Sequence, residues 1–268
     1  MSTPTLSIVI STIDKNFEKF VKTFQFDNLK DVDEVLVVVQ GTSKNLIIPN
    51  FSKFKVITNA NYGISRSRNI GIKNSNCDYI WFLDDDIILY KDSVRKLKFF
   101  LASNSNFDLN TIRMNYLNGY PYKNYSNKKV LGRLNILSIS SVEIVVSRNF
   151  ILSNNITFNE RIGLGSKFPS SEENFFCADI FDNGGKAGHF PEFLLMHEYI
   201  NRKDVHYNNK FILIAKGMFC RRYGGFMGFL ILLYYFLKCL HISRSIKLSI
   251  NLFYGYKNLR KIIKKIDE

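Results

Sequence analysis

Three consecutive carboxylates, Asp84-Asp85-Asp86, follow the apolar run Tyr79 to Leu83 (YIWFL) with nothing between. Such a run reads as a buried parallel strand, and open α/β sheets bind their ligands at the carboxyl ends of those strands. Two acids at i and i+2 in that place can reach one divalent cation and one ribose. Hard oxygen ligands suit magnesium or manganese, and such a cation would bridge a diphosphate and neutralise charge building on a leaving group. A bare acidic triplet also suits a solvated turn ahead of a helix starting near Asp92. The strand in front of the triplet and the groups that follow favour the chemical reading.

Further along, Asn61 to Gly71 (NYGISRSRNIG) sets Arg66 and Arg68 in the opening turns of a helix preceded by a glycine, and helix N-terminus and guanidinium together favour an anion. Pairing of either arginine with a carboxylate is the competing use. Glu172-Glu173 opens a second helix after the loop Gly163-Leu164-Gly165, and His197 follows a short apolar stretch, Phe193 to Met196. An acid opening a helix can serve as a rigidly placed general base, or can merely complement the helix dipole. A lone histidine is an ordinary structural residue as well as a metal ligand.

The elements that must position these groups alternate. Leu6 to Ile10, ending in Ser11-Thr12, and the valine-rich Glu34 to Val39 read as buried parallel strands, with Phe17, Phe20, Val21 and Phe24 at helical spacing between them. Phe54 to Thr58 adds a strand, Ile64 to Lys73 a helix and Tyr79 to Leu83 a fourth strand. That order predicts a doubly wound α/β sheet. Past residue 105 the chain turns Asn- and Tyr-rich, with a strand expected at Val142 to Val146, a helix at Phe175 to Phe181 and a last strand at Phe193 to Met196. This half is expected to build the acceptor side.

The chain has 268 residues and 46% hydrophobic composition, enough for one large α/β domain with an appendage. Its net charge is +14, and fourteen basic against three acidic residues lie from Arg202 onward, so most of the excess sits in the last quarter. Cys77, Cys177, Cys220 and Cys239 are far apart and form no C-x-x-C pair, which points to reduced thiols rather than zinc or disulfides. The opening MSTPTLSIVIS reads as a strand and not as a secretion signal, so a cytoplasmic location is expected. Tyr223 to Leu237 carries no charge. Beyond it Leu259, Ile262, Ile263 and Ile266 share one helical face while Lys257, Lys261, Lys264 and Lys265 share the other. Basic residues flanking apolar segments suit an anionic membrane surface better than nucleic acid, which would want basic and aromatic side chains interleaved on one reading face. Residues 1–215 are thus expected to form the catalytic domain and 216–268 a helical segment lying on the inner face of the cell membrane.

The ordered pieces SIVIST, EVLVVVQGTS, NYGISRSRNIGI, YIWFLDDDI and FNERIGLGSKFPSSEENFF resemble the family 2 glycosyltransferases of the GT-A fold, over roughly residues 5 to 200. The resemblance implies an inverting transfer of a sugar from a nucleoside diphosphate donor to a glycan or lipid-linked acceptor, with Mn²⁺ or Mg²⁺ as cofactor. By position it makes Asp86 a metal ligand, sets Asp84 near both metal and ribose, adds His197 to the metal, and assigns Thr12, Gln40, Arg68, Asn69 and Asp85 to the donor. Glu173 becomes the base, with Glu172 beside it. One departure stands out: where the family has an acid at the end of the second strand to read the nucleobase, this chain has Val39-Gln40-Gly41-Thr42, so uridine, deoxythymidine and guanosine donors all stay open. Two other classes compete. A nucleotidyltransferase would need a Gly-rich basic loop after the first strand, which SIVISTIDKN lacks, and a scaffold with a decayed transferase domain would not need the acids and His197.

Overall fold

The computed structural model describes residues 3–42, 46, 52–199 and 203–264. They divide into two compact units, one of residues 1–62, 66–157 and 176–199, the other of 63–65, 158–175 and 200–268.

The first unit is built on one mixed sheet. Strand β1 (Leu6–Ile13) leads into helix α1 (Asp14–Thr23), then β2 (Glu34–Gln40) and β3 (Phe54–Asn59). Helix α2 (Ile64–Asn74) and β4 (Tyr79–Asp84) follow, then the two-residue β5 (Ile88–Leu89), helix α3 (Ser93–Ser103) and β6 (Leu109–Tyr116). After β7 (Val130–Leu131) come β8 (Ile144–Ser147), the short α4 (Arg148–Ser153), α5 (Glu172–Asp182) and the long β9 (Ala187–His197). The strand order is β3-β2-β1-β4-β8-β6-β9-β5, with β7 also on β9. Strands β1 to β4 pair in parallel, β8 runs against both β4 and β6, and β9 runs parallel to β6. The carboxyl ends of β1, β2, β3, β4, β6 and β9 therefore share one edge of the sheet, where a doubly wound fold binds its ligands.

Strands β1, β2 and β4 are where the sequence places them because their runs are buried on both faces, which selects for Val, Ile and Leu; β3, at the edge of the sheet, has only half-buried and exposed residues. Helix α1 buries Phe17 and Phe20, and Phe20, Phe24 and Phe26 continue as a ring cluster with centroids 4.9 and 5.3 Å apart. Helix α2 lies directly on β1: a Cβ at Gly71 would fall 2.2 Å from Val9 Cγ1, so glycine alone permits that approach.

Two expected strands differ. Ser141–Glu143 is a 3-10 turn, so β8 starts at Ile144 rather than Val142. The indole of Trp81, wholly buried on β4, donates to the Val142 carbonyl at 2.8 Å and removes that group from any ladder. Strand β9 begins six residues before Phe193, because β6 and β7 supply ladder partners to a stretch whose Gly188, Pro191 and Glu192 read locally as a loop.

In the second unit, α6 (Lys203–Asn208), α7 (Lys210–Tyr223), α8 (Gly225–Ser243) and α9 (Ile246–Lys264) gather with the segment of residues 158–175. Helices α7 and α9 meet backbone to backbone: a Cβ on Gly217 would stand 2.0 Å from the Leu252 carbonyl oxygen, and one on Gly255 2.1 Å from that of Ile214. Helix α8 is long and apolar enough to cross a membrane by length and composition, with a mean hydropathy of 1.7. On α9, Leu259 and Ile262 are half-buried while Lys257 and Lys261 are exposed. Lys265 and Ile266, with the side chains of Ile263 and Lys264, lie outside the described residues.

His189 on β9 carries a pH dependence. Arg113 donates through Nε to His189 Nε2 at 3.2 Å, so Nδ1 bears the proton and donates to Thr111 Oγ1 at 2.8 Å. Burial first, then Arg113 and Lys123, push the imidazole from 6.5 down to about 4. The unfolded chain takes up this proton near pH 6.5 and the folded one does not, so stability falls as pH drops through the window from 6.5 to about 4. The loss amounts to about 3 kcal/mol. Thermal melts of His189→Asn against the parent across that window should show the variant losing less. Parallel curves would remove His189 as the cause.

Candidate active site

At the shared edge, Asp84 closes β4 and its carboxylate Oδ1 receives Arg68 Nη2 at 3.2 Å. Arg68 is 2% exposed and also donates to Ser141 Oγ at 2.7 Å, so it ties α2, β4 and the turn before β8 together. Of the two uses open to this arginine, it makes the carboxylate pair. Burial raises the Asp84 carboxyl above its ordinary range; Arg68 opposes this, and Asp86 and then Asp85 add to it.

The other two acids of the triplet turn elsewhere. Asp85 accepts a hydrogen bond from Thr12 Oγ1 at 2.5 Å, joining the ends of β4 and β1, with Asn16 Nδ2 at 3.5 Å. Asp86 Oδ2 lies 3.3 Å from Nε2 of His197, the last residue of β9. His197 Nδ1 stands 2.5 Å from the Glu198 carbonyl, which can only accept, so Nδ1 is the protonated nitrogen of the neutral ring. Nε2 then turns a lone pair toward a carboxylate oxygen. A proton on Nε2 satisfies that meeting, and so does a cation shared by both groups. Among the described residues no set of three or more His, Cys, Asp and Glu side chains is gathered for a metal.

Gln40, at the end of β2, is buried and its Nε2 donates to the Thr12 carbonyl at 3.3 Å. A carboxylate nevertheless stands at that strand end. Asp14, the first residue of α1, covers Gly41 so closely that a Cβ there would meet its carboxyl oxygen at 2.3 Å, and Tyr62 donates to Asp14 Oδ1 at 3.4 Å. Sequence reasoning missed Asp14, whose one signal is its place two residues beyond Thr12. Asn69 sits half-buried on α2. The Asn- and Tyr-rich stretch folds over β6 and helps enclose a cavity of about 320 Å³, lined in part by Thr111, Lys123, Tyr125, Glu143 and His189.

Glu172 and Glu173 belong to the second unit. There the Gly163-Leu164-Gly165 loop caps α2: Ile64 N donates to the Leu164 carbonyl at 2.8 Å, and Ser65 Oγ to the Ile162 carbonyl at 2.6 Å. Gly163, at φ +101°, leaves room for the Glu172 carboxyl, which a Cβ would meet at 3.1 Å. Ser171 holds φ +74° immediately before α5, an unusual conformation for serine that fixes how the helix starts. Glu172 is buried and Glu173 half-buried, so Glu173 is the more accessible of the two.

The profile of Glycosyl transferase family 2 matches residues 7–159, more than half of the chain. The protein belongs to glycosyltransferase family 2. Its sheet is that of the GT-A fold, and solved structures agree. S. aureus TarS superposes with a TM-score of 0.59 at 17% identity over 97% of this chain and 55% of TarS, so the present chain spans about half the length of that protein. TarS 1–349 in complex with UDP-GlcNAc gives 0.58 at 16% identity, and in complex with UDP 0.58 at 15%, each over 98% of this chain and 91% of the other. At such identities the likeness is one of fold. No curated protein sequence matches significantly.

The buried Arg68 pair should dominate local stability. Asp84→Asn, which leaves the buried Arg68 guanidinium without its counter-charge, should cost about 3 to 5 kcal/mol, while Arg68→Met should cost less because the Asp84 side chain, 32% exposed, can reach water or take up a proton. Equal midpoints for Asp84→Asn and the parent in urea would show that the pair contributes nothing net.

Proposed function

We propose that this glycosyltransferase moves a sugar, with inversion, from a nucleoside diphosphate donor to a glycan or lipid-linked acceptor in cell-surface polysaccharide synthesis. The observation that carries the reading is the meeting of Asp86 and His197 at the carboxyl edge of the sheet, beside the Asp84–Arg68 pair. A carboxylate oxygen and an imidazole nitrogen suit Mn²⁺, or Mg²⁺ less well for the nitrogen. Asp86 and His197 would hold such a cation, and the chemistry it would supply is stabilisation of the charge that builds on the leaving diphosphate. Asp84 and Asp85, with Thr12, Arg68 and Asn69, would line the donor's ribose and phosphate side. Gln40, with Asp14 and Tyr62 near the end of β2, would line the nucleobase. The UDP-GlcNAc bound to TarS makes that compound the first probe to try.

Glu173 is assigned as base. The acceptor hydroxyl oxygen attacks the anomeric carbon while its proton passes to the Glu173 carboxylate, and the breaking carbon–oxygen bond leaves its electron pair on the diphosphate. Glu172, buried against Gly163, holds the start of α5.

The second unit supports a place at the cytoplasmic face of the membrane. On α8, Phe226, Leu230, Tyr234 and Leu237 are exposed along one face, and on α9 Ile246, Ile250 and Tyr254 are exposed at four-residue spacing. Lys257 and Lys261 prolong the α9 stripe. Apolar side chains inserted beside lysines suit helices lying in an anionic leaflet, each lysine adding about 1 kcal/mol near the surface.

Calorimetry with UDP-, dTDP- and GDP-sugars, with and without manganese, should find one manganese-dependent donor whose binding is lost in Asp86→Asn. Binding unchanged by chelator would remove the metal. Glu173→Gln should keep that donor affinity and lower transfer by about 10²- to 10⁴-fold, whereas a more severe Glu172→Gln would move the base to Glu172. Flotation with phosphatidylglycerol vesicles should carry the full-length protein at low salt and release part of it at high salt. Lys257→Glu with Lys261→Glu should weaken the binding, and full-length protein that ignores these vesicles at low salt would exclude membrane docking.

A further inference from the structure

The cavity of about 320 Å³ lies within the first unit and includes none of the residues assigned to donor, metal or base. Thr111 on β6 and His189 on β9 line it, two and three strands across the sheet from the β4 end that carries Asp84. Neighbouring strands stand about 4.8 Å apart, which sets the cavity roughly 10 to 15 Å to one side of that carboxylate. Its walls are tied down. Tyr125 Oη accepts from Met114 N at 3.0 Å and donates to the Met114 carbonyl at 3.2 Å, and Arg113 Nη2 donates to the Ser126 carbonyl at 3.1 Å, so this segment is fixed to β6. Lys123 donates to the Ser138 carbonyl and, at 2.5 Å, to Glu143 Oε2, which also accepts from Ser140 N at 2.8 Å. The site is therefore formed before a ligand arrives. Within it polar capacity is left over. Glu143 is 1% exposed, and its second oxygen, Oε1, is buried with no hydrogen bond. The Tyr125 hydroxyl neighbours Glu143 but spends its proton on Met114. Lys123 has used two of its three ammonium protons, and Asn135 accepts from Gly132 N through Oδ1, which leaves its amide protons available. Beside these groups lie the apolar side chains of Leu131 and Ile139 and the Tyr125 ring.

We propose that this cavity is a carbohydrate subsite, which binds a neutral pyranose of the acceptor set back from the unit that receives the transferred sugar. The inference rests on the reading of the acceptor as a glycan. A buried carboxylate oxygen without a partner is costly, and Oε1 calls for a donor. The remaining Lys123 proton and the Asn135 amide call for acceptors. A hydroxyl both donates and accepts, so neighbouring hydroxyls of one sugar ring answer both demands, while its C–H faces suit the apolar side chains and the ring. An anion answers only one of them: Arg113 is already bound to His189, Ser126 and Asn127, and the free carboxylate oxygen repels it. An apolar ligand leaves that oxygen unpaired. Glu143 also closes the short 3-10 turn whose first residue, Ser141, accepts from Arg68. The segment that holds the sugar is thus the one that anchors the Arg68–Asp84 pair at the catalytic edge.

The test is saturation-transfer NMR on the full-length protein, with UDP and manganese in excess. The probes are the methyl glycosides of glucose, galactose, mannose and N-acetylglucosamine. At least one should bind in the presence of UDP. Asn124→Trp, which adds a bulky ring at an exposed lining residue, should weaken that binding at least about tenfold. Glu143→Leu combined with Lys123→Met removes both charged partners together, a change that buried pairs tolerate, and should weaken it as much. Circular dichroism checks that each variant is folded, and Asn124→Trp alone decides the matter if the double variant is not. Inorganic phosphate should not compete. Binding by none of the four glycosides, or binding undiminished in a folded variant, overturns the inference, and displacement by phosphate replaces it with an anion site. The readout requires no transfer, so a protein that binds a glycoside in this way yet transfers no sugar keeps the subsite and loses the catalytic reading.

Discussion

A guanidinium shut off from water must be met by charge and hydrogen bonds, or the fold that buries it is lost. Arg68 is 2% exposed and is met by Asp84 and Ser141. The three groups come from α2, from the end of β4 and from the turn before β8, so one buried cation fixes how the parallel and antiparallel halves of the sheet join. With Asp84 committed to Arg68, Asp85 binds Thr12 across to β1, and Asp86 is left to approach His197. The division of labour within three adjacent identical residues follows from which neighbour each can reach.

The antiparallel insertion of β8 has a consequence for the site. Because β8 runs opposite to β4 and β6, β6 and β9 point the same way as the first four strands. His197 is therefore delivered to the edge that holds Asp84 to Asp86, although more than a hundred residues separate them. Strand β9 needs its full eleven residues to reach that edge, and the register shifts between Thr111 and Met114 on β6 accommodate it.

In the second unit the constraint is close packing around glycine. Gly163 admits the Glu172 carboxyl, and Gly217 and Gly255 let α7 and α9 touch backbone to backbone. A helix so held presents Phe219 to Phe175 of α5 and Lys216 to Tyr235 of α8, and leaves α8 with one buried face and one exposed. An apolar helix can serve a core and a membrane surface at once because its two faces are separate surfaces.

Much of this was legible along the chain, and the reason is local. The runs Leu6 to Ile10, Glu34 to Val39 and Tyr79 to Leu83 are strands because burial on both faces demands their composition, and Phe17, Phe20 and Phe24 mark α1 by spacing alone. The order of these pieces was enough to indicate the family, and the acid triplet at a strand end was enough to indicate the edge where the site lies. What the sequence could not decide was partnership. Asp14 standing over Gly41 and Arg68 choosing Asp84 depend on atoms far apart in the chain, as does the length of β9, whose glycine, proline and glutamate read as a loop until β6 and β7 offer hydrogen bonds. Lys216 looked like one more basic residue of a charged tail; only the packing of α7 against α8 gives it Tyr235 for a seat. Propensity and hydrophobic pattern act over a few residues and determine elements, whereas charge pairing acts across space and is decided only when the elements have packed.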